Sequence, residues 1–254
     1  MARSRLVPAV AVALVVLAAC DRTQANRETA IADSVPIAFE SADGVALEGR
    51  QFGPGNARVA IVLSHMLPAD QRSWFALADA LGNRGYTAVT YNFRGYCPGG
   101  DGGCSEGERS VGATVQDLAG AVAFAQNLGV ERIVLIGASM GGTASLAYAA
   151  SEPDAVSGVV AMSAPVTIGG ISAGPDVIAS IRGAKLFIAG LDDGTAAADA
   201  EAFYNAGPPP KRVEILTTAD HGTDILEGAQ GSRAQNLILT WLAQVAPASG
   251  GEGA

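Results

Sequence analysis

Strand-like runs alternate with stretches of helical periodicity along almost the whole chain, and this constrains the fold more than any other feature. RVAIVLS (58–64), YTAVTYNF (86–93), ERIVLIG (131–137), VSGVVAMSAP (156–165), AKLFIAG (184–190) and KRVEILT (211–217) read as strands. Short continuous apolar runs such as RVAIVLS suit strands buried on both faces. Between them, QRSWFALADALGNRG (71–85), SVGATVQDLAGAVAFAQNLGV (110–130), MGGTASLAYAASEP (140–153) and AAADAEAFYNAG (196–207) read as helices, and SRAQNLILTWLAQV (232–245) as the last one. Such alternation predicts an α/β fold with a mostly parallel sheet and helices on both faces. VPIAFES (35–41) and VALEGRQF (45–52) flank Asp43-Gly44, a strong hairpin signal, and predict an antiparallel start. No internal repeat is visible.

The segment before this pattern is of another kind. After Arg3 and Arg5, Leu6 to Ala19 is an uncharged apolar run of 14 residues, short of the about 20 that span a bilayer as a helix. A charged start with a short apolar core reads as a secretory signal. Its end, Leu17-Ala18-Ala19-Cys20, resembles the lipobox of bacterial lipoproteins. That resemblance implies a leader (1–19) cut before Cys20, acylation of Cys20, export, and a lipid anchor on a bacterial membrane facing the periplasm. Residues 20–33 then read as the lipidated cysteine and a polar tether, 34–246 as one domain, and 247–254 as a flexible tail. A hydrophobic content of 49% provides for a sizeable core, and a net charge of −9 argues against nucleic acid or an anionic membrane surface as partner.

RGYCPGGDGGCSEG (94–107) places Cys97 and Cys104 in a glycine-rich loop. A metal site, a redox pair and a disulfide are all conceivable. Outside the cytoplasm disulfides form and persist. Lipid on Cys20 leaves an even pair, and a zinc site needs more ligands, whereas both histidines of the chain fit other positions. A Cys97–Cys104 disulfide is the expectation.

Gly137-Ala138-Ser139-Met140-Gly141 fits GxSxG, the pattern of a nucleophile elbow. In a chain with 32 glycines the pattern alone is weak, and Gly170-Ile171-Ser172-Ala173-Gly174 fits it too. Context separates them, because the elbow needs a strand entering and a helix leaving. Ser139 has both; Ser172 runs into Gly174-Pro175 and reads as a loop residue. A serine hydroxyl needs a base. His221 follows the strand KRVEILT and precedes the last helix, and an acidic pair, Asp192-Asp193, follows the strand AKLFIAG. The order Ser139, Asp193, His221 is the one found in α/β-hydrolases.

With these residues in hand, nearly all of the chain after the tether resembles an α/β-hydrolase of the serine esterase/lipase type. The resemblance implies Ser139 as nucleophile, His221 as general base and then acid, and the turn Gly190-Leu191-Asp192-Asp193 as source of the orienting acid, favouring Asp193 with Asp192 as alternative. The family's His-Gly-x segment maps to His65-Met66-Leu67, with methionine where glycine is usual. By order, Leu67 N–H and Met140 N–H are the implied oxyanion donors, and His65 is a structural hydrogen-bonding residue. Asn92-Phe93-Arg94-Gly95-Tyr96 and Ser105-Glu106-Gly107 match a family loop, so the cysteines bracket an insertion near the active site. The expected reaction is hydrolysis of a small-molecule carboxylic ester through an acyl-enzyme, with no metal or organic cofactor. The segment from Ala164 to Arg182 is short for a lid, which suits small to medium esters. A peptidase or thioesterase of this fold would use the same residues. A haloperoxidase-like or dienelactone-type hydrolase is a further reading, although the dienelactone type normally uses cysteine where this elbow has serine. A non-catalytic binding lipoprotein is the reading from another class, and the sequence says nothing of oligomeric state.

Overall fold

The computed structural model describes residue 31 and residues 33–248. The leader, Cys20, most of the tether and residues 249–254 lie outside the described residues. Eight strands form one sheet: β1 (Val35–Glu40), β2 (Ala46–Phe52), β3 (Val59–Ser64), β4 (Thr87–Tyr91), β5 (Arg132–Ala138), β6 (Gly158–Met162), β9 (Ala184–Gly190) and β10 (Lys211–Leu216). A separate two-stranded hairpin comprises β7 (Thr167–Ile168) and β8 (Ile171–Ser172). The sheet order is β1-β2-β4-β3-β5-β6-β9-β10. β1–β2 and β2–β4 are antiparallel, and every later pairing is parallel.

The helices are α1 (Phe75–Gly82), α2 (Thr114–Asn127), α3 (Met140–Ser151), α4 (Pro175–Ser180), α5 (Ala196–Ala206), α6 (Asp224–Glu227) and α7 (Gly231–Val245). Alternation within the strands builds two cores, because successive side chains point to opposite faces. From β3, Val59, Ile61 and Leu63 join α1 and α7 on one face; Ala60 and Val62 join α2, α3 and α5 on the other. All six residues of β3 are buried. Each such Val, Leu or Ile adds about 1.5–3 kcal/mol through apolar burial. β1 is one of the two edge strands and tolerates Pro36, whose missing N–H would break a ladder inside the sheet.

Two expected helices start later than their periodicity suggests. Residues Gln71–Trp74 and Val111–Ala113 form 3-10 turns before α1 and α2. In the first, the Asp70 carboxylate accepts from Arg72 N at 2.9 Å and fixes a tighter entry turn.

The loop after β4 is tied down at its base. Arg94 Nε donates to Asp117 Oδ1 at 2.8 Å, its backbone N–H to Asp117 Oδ2 at 2.9 Å, and Nη1 to Asp43 Oδ2 at 2.8 Å. The Arg94 guanidinium holds the Asp43 carboxyl well below the usual carboxylate range. Burial pushes the Asp117 carboxyl upward against three N–H and charge contributions from Arg94. Farther along, Ser105 N donates to Tyr96 O at 2.9 Å and Gly95 N to Glu106 O at 2.8 Å. The glycine-rich insertion thus loops out from a closed base. Across that base the sulfur atoms of Cys97 and Cys104 lie at bonding distance. A ring of 8 residues (Cys97 to Cys104) contributes about 2.5 kcal/mol from chain entropy. We expect Cys97→Ser/Cys104→Ser to lower Tm by about 5–10 °C, read by calorimetry. An unchanged Tm, with free thiols in the oxidised wild type, would remove the bond from this account.

Candidate active site

Ser139 stands between β5 and α3 with φ 47° and ψ −115°, a left-handed conformation rare for a residue with a side chain. Strain of this kind costs about 1–3 kcal/mol and needs surroundings that enforce it. Here they are glycines. A Cβ on Gly137 would lie 2.2 Å from Gly141 O, and one on Gly141 would lie 2.3 Å from Ser64 O. Only hydrogen fits at either position, so the start of α3 presses under β5 and against the end of β3. The first N–H groups of α3, Met140 among them, lack partners within the helix and face the strand ends with the positive end of its dipole.

Asp193 and His221 meet above the same edge of the sheet. His221 Nδ1 lies 2.9 Å from both Asp193 carboxylate oxygens. A carboxylate only accepts, so Nδ1 carries the hydrogen and Nε2 presents its lone pair. The His221 side chain is 40% exposed and that of Asp193 13%. Asp192 is exposed, and its backbone N–H donates to Thr218 O at 3.1 Å. Of the acidic pair, the structure brings Asp193 to the histidine. Gly190 lets the acid and histidine loops close on one another: a Cβ there would lie 2.7 Å from Thr218 O and 3.1 Å from Asp193 Cβ. The histidine loop also touches the elbow. A Cβ on Gly222 would lie 3.3 Å from Ala138 Cβ, so the chain neighbours of His221 and Ser139 are in contact. Among the described residues no hydrogen bond joins Ser139 Oγ to His221; such links are often long in unliganded enzymes.

The residue after His65 resolves differently from the family pattern. The non-glycine residues with positive φ among those described are Ser139 and Ser163, so Met66 takes an ordinary backbone conformation and needs no glycine. The small residue stands across the contact instead: a Cβ on Gly222 would lie 2.5 Å from Met66 Sδ. His65 is fully buried. Its Nδ1 donates to Met66 O at 2.9 Å, and Nε2 accepts from Phe93 N at 3.1 Å. Both ring nitrogens are used, and the ring ties the β3 loop to the β4 loop.

Burial holds His65 down at about 4, against 6.5 when free. The unfolded chain therefore binds a proton between these values and the fold does not. Stability is fully present above pH 6.5 and falls as pH drops toward 4, by up to about 3 kcal/mol. Urea unfolding across this range should show that loss in the wild type and a flatter profile in His65→Gln. Identical slopes would contradict it.

Leu67 and Met140 line one small cavity, of about 60 Å³, together with Phe93, Tyr96, Arg109 and Val111. The hairpin β7–β8 leans on its wall, since a Cβ on Gly169 would lie 2.4 Å from Val111 Cγ1. A broader hollow of about 360 Å³ is lined by Asp70, Arg72, Thr223 and Asp224, the last two shortly after His221 in the chain. Ser172, the other GxSxG serine, lies in β8, where its Oγ accepts from Gly174 N at 3.2 Å.

Sequence reasoning missed Ser163. It follows β6 with φ 45°, and its buried Oγ accepts from Gly222 N at 3.0 Å, fixing the residue next to His221. A lone serine at a strand end carries no pattern that would single it out. Thr218 and Asp220 brace the same loop, the Thr218 hydroxyl donating to Asp220 Oδ2 at 2.6 Å. Here the T-x-D spacing is a turn signal.

His65, Leu67, Ser139, Ser163, Asp193 and His221 each follow the carboxyl end of a parallel strand, where open α/β sheets place their ligands. Among the described residues no group of three or more His, Cys, Asp or Glu is arranged to hold a metal ion. No helix among them is long and apolar enough to cross a membrane.

No curated protein sequence matches the chain. Solved structures do. An esterase from Pyrococcus furiosus superposes with a TM-score of 0.69 at 18% identity, covering 84% of this chain and 91% of that one. The esterase domain of a Rhodothermus marinus protein gives 0.64 at 20% identity, covering 83% and 98%. A monoacylglycerol lipase from Paleococcus ferrophilus gives 0.65 at 19% identity, covering 79% and 99%. At these identities the likeness is one of fold. A family model described as alpha/beta hydrolase fold matches residues 59–221, a span that runs from β3 through the elbow to His221. The chain belongs to the α/β-hydrolase fold family.

Proposed function

We propose that the protein is a serine hydrolase that cleaves carboxylic esters with small to medium acyl groups through an acyl-enzyme on Ser139. The observation that carries this reading is His221, held through Nδ1 by both oxygens of Asp193 at 2.9 Å, in a loop whose Gly222 abuts Ala138 beside Ser139. In this scheme His221 Nε2 takes the Ser139 proton as Oγ attacks the ester carbonyl carbon. Asp193 orients the ring and stabilises its charged form. The N–H groups of Leu67 and Met140 receive the oxyanion; one such donor is worth roughly 10²–10³ in rate. His221 then protonates the leaving alcohol. Water attacks the acyl-enzyme by the same route in reverse and frees the acid.

Esterase activity agrees with the descriptions of the similar structures and with a small cavity beside the implied oxyanion donors. Turnover of p-nitrophenyl esters from acetate to palmitate tests it. We expect activity greatest at short chain lengths and lost with Ser139→Ala. Turnover confined to thioester or amide substrates would replace ester hydrolysis with the thioesterase or peptidase reading.

The same chain, on this proposal, is exported and anchored through Cys20, with 1–19 removed, 20–33 as tether, 34–246 as the catalytic domain and 247–254 as tail. Labelled palmitate should enter the wild type and not Cys20→Ser in a bacterial host. Equal labelling of both would end the lipoprotein reading.

A further inference from the structure

The cavity beside Leu67 and Met140 holds two groups that the hydrolytic scheme leaves unused. Tyr96 lines it and is 4% exposed. Its hydroxyl is buried and finds no hydrogen-bond partner among the described residues. Leaving such a group unpaired costs about 1–3 kcal/mol, which calls for an explanation in a native fold. Burial pushes the Tyr96 hydroxyl's pKa up, so at neutral pH it keeps its proton and offers a donor.

The second group is Arg109. It lines the same cavity, its guanidinium carbon stands 4.3 Å from the Tyr96 ring centroid, and Nε donates to Gly95 O at 3.3 Å. No carboxylate among the described residues pairs with it. Arg94, the other arginine of the cavity, differs: its guanidinium is taken by Asp43 and Asp117. Arg109 is therefore a cation at the surface of the site with charge to offer.

Position says which part of the substrate goes here. The leaving alcohol must sit beside His221, because that ring protonates it. His221 lines neither hollow, but Thr223 and Asp224, just after it in the chain, line the broader one, and Leu67 and Met140, the proposed donors to the carbonyl oxygen, line the small one. The small cavity thus receives the acyl side. Its volume of about 60 Å³ accommodates about five water-sized atoms. Phe93, Val111 and Met140 supply apolar wall for methylene groups.

We propose that this cavity selects a short acyl chain that ends in a carboxylate, which accepts a hydrogen bond from Tyr96 Oη and pairs with Arg109. The inference rests on the serine-hydrolase reading above and adds a substrate class to it: monoesters of short dicarboxylic acids, cleaved at the ester end. Charge-assisted hydrogen bonds offset the desolvation of the carboxylate.

Two methyl esters matched in size test it on the purified full chain. Monomethyl succinate carries the carboxylate, and methyl 4-methylpentanoate is its neutral isostere. We expect kcat/KM, from methanol release, to favour the monoester at least tenfold, and high salt to reduce the preference. Tyr96→Phe and Arg109→Gln should each cut the ratio of the two kcat/KM values by about tenfold. Tyr96→Phe removes an unpaired buried hydroxyl, so its Tm should match or exceed that of the wild type, separating lost recognition from lost folding. Equal or better cleavage of the neutral ester, or a ratio that neither variant moves, overturns the proposal and leaves the hydrolase reading standing. If neither ester nor p-nitrophenyl acetate is cleaved, the hydrolase reading fails and takes this one with it.

Discussion

We expect Ser139→Ala to lower kcat for an ester substrate by about 10⁶-fold and to leave Tm within about 2 °C of the wild type. The size follows from the role. Removing a nucleophile that acts as a unit with its base abolishes the covalent route and leaves only what binding and oxyanion donors supply. The selectivity for activity over stability follows from the position. Alanine keeps the Cβ and meets the same left-handed backbone, φ 47°, that serine already tolerates. Ser139 Oγ makes no hydrogen bond among the described residues whose loss would unfold the elbow, whose shape is enforced by Gly137 and Gly141. Steady-state kinetics with p-nitrophenyl acetate and calorimetry of the same samples check both halves. An activity loss below tenfold would mean that another residue carries the acyl group.

We expect Asp193→Asn to lower kcat by about 10⁴-fold and Asp192→Asn to stay within about twofold of the wild type. Both Asp193 oxygens lie 2.9 Å from His221 Nδ1, so the carboxylate fixes the tautomer with hydrogen on Nδ1. An asparagine there can present its NH₂ group to Nδ1, which then accepts, and the hydrogen moves to Nε2. A ring protonated on Nε2 cannot take the proton of Ser139, and substitutions of this kind cost about 10⁴ while the geometry stays intact. Asp192 is exposed and meets the histidine loop through its backbone N–H to Thr218 O, at 3.1 Å, a bond that asparagine keeps. Kinetics of the two variants side by side check the assignment. Equal losses in both, or the reverse ranking, would remove Asp193 from its role.

That pair also shows where the sequence stops being informative. Two adjacent aspartates after a strand differ only in which way the turn carries them, and the turn is set by contacts from Thr218 and Asp220, distant in sequence. The main architecture is legible because burial on both faces leaves a continuous apolar signature: β3, β5 and β9 lie within one residue of the runs that predict them. The hairpin β7–β8 and the short helices α4 and α6 escape notice, since two-residue strands and single turns are too short to show a period. Ser139 is legible because its elbow combines strand, glycines and helix in one local stretch. Ser163 is not, because its function is a single bond to Gly222, 59 residues away in the chain. Met66 looks like a defect when read locally. In the fold the space it needs is made by Gly222, a compensation visible only once β3 and the histidine loop are side by side.

The most direct test of the central claim is covalent. The purified full chain is treated with a fluorophosphonate, digested, and its peptides are mapped by mass spectrometry. The account predicts one phosphonyl adduct, on Ser139 and not on Ser172 or Ser163, absent from Ser139→Ala and strongly reduced in Asp193→Asn. A folded wild type that takes no label, or takes it on a serine other than Ser139, would contradict it.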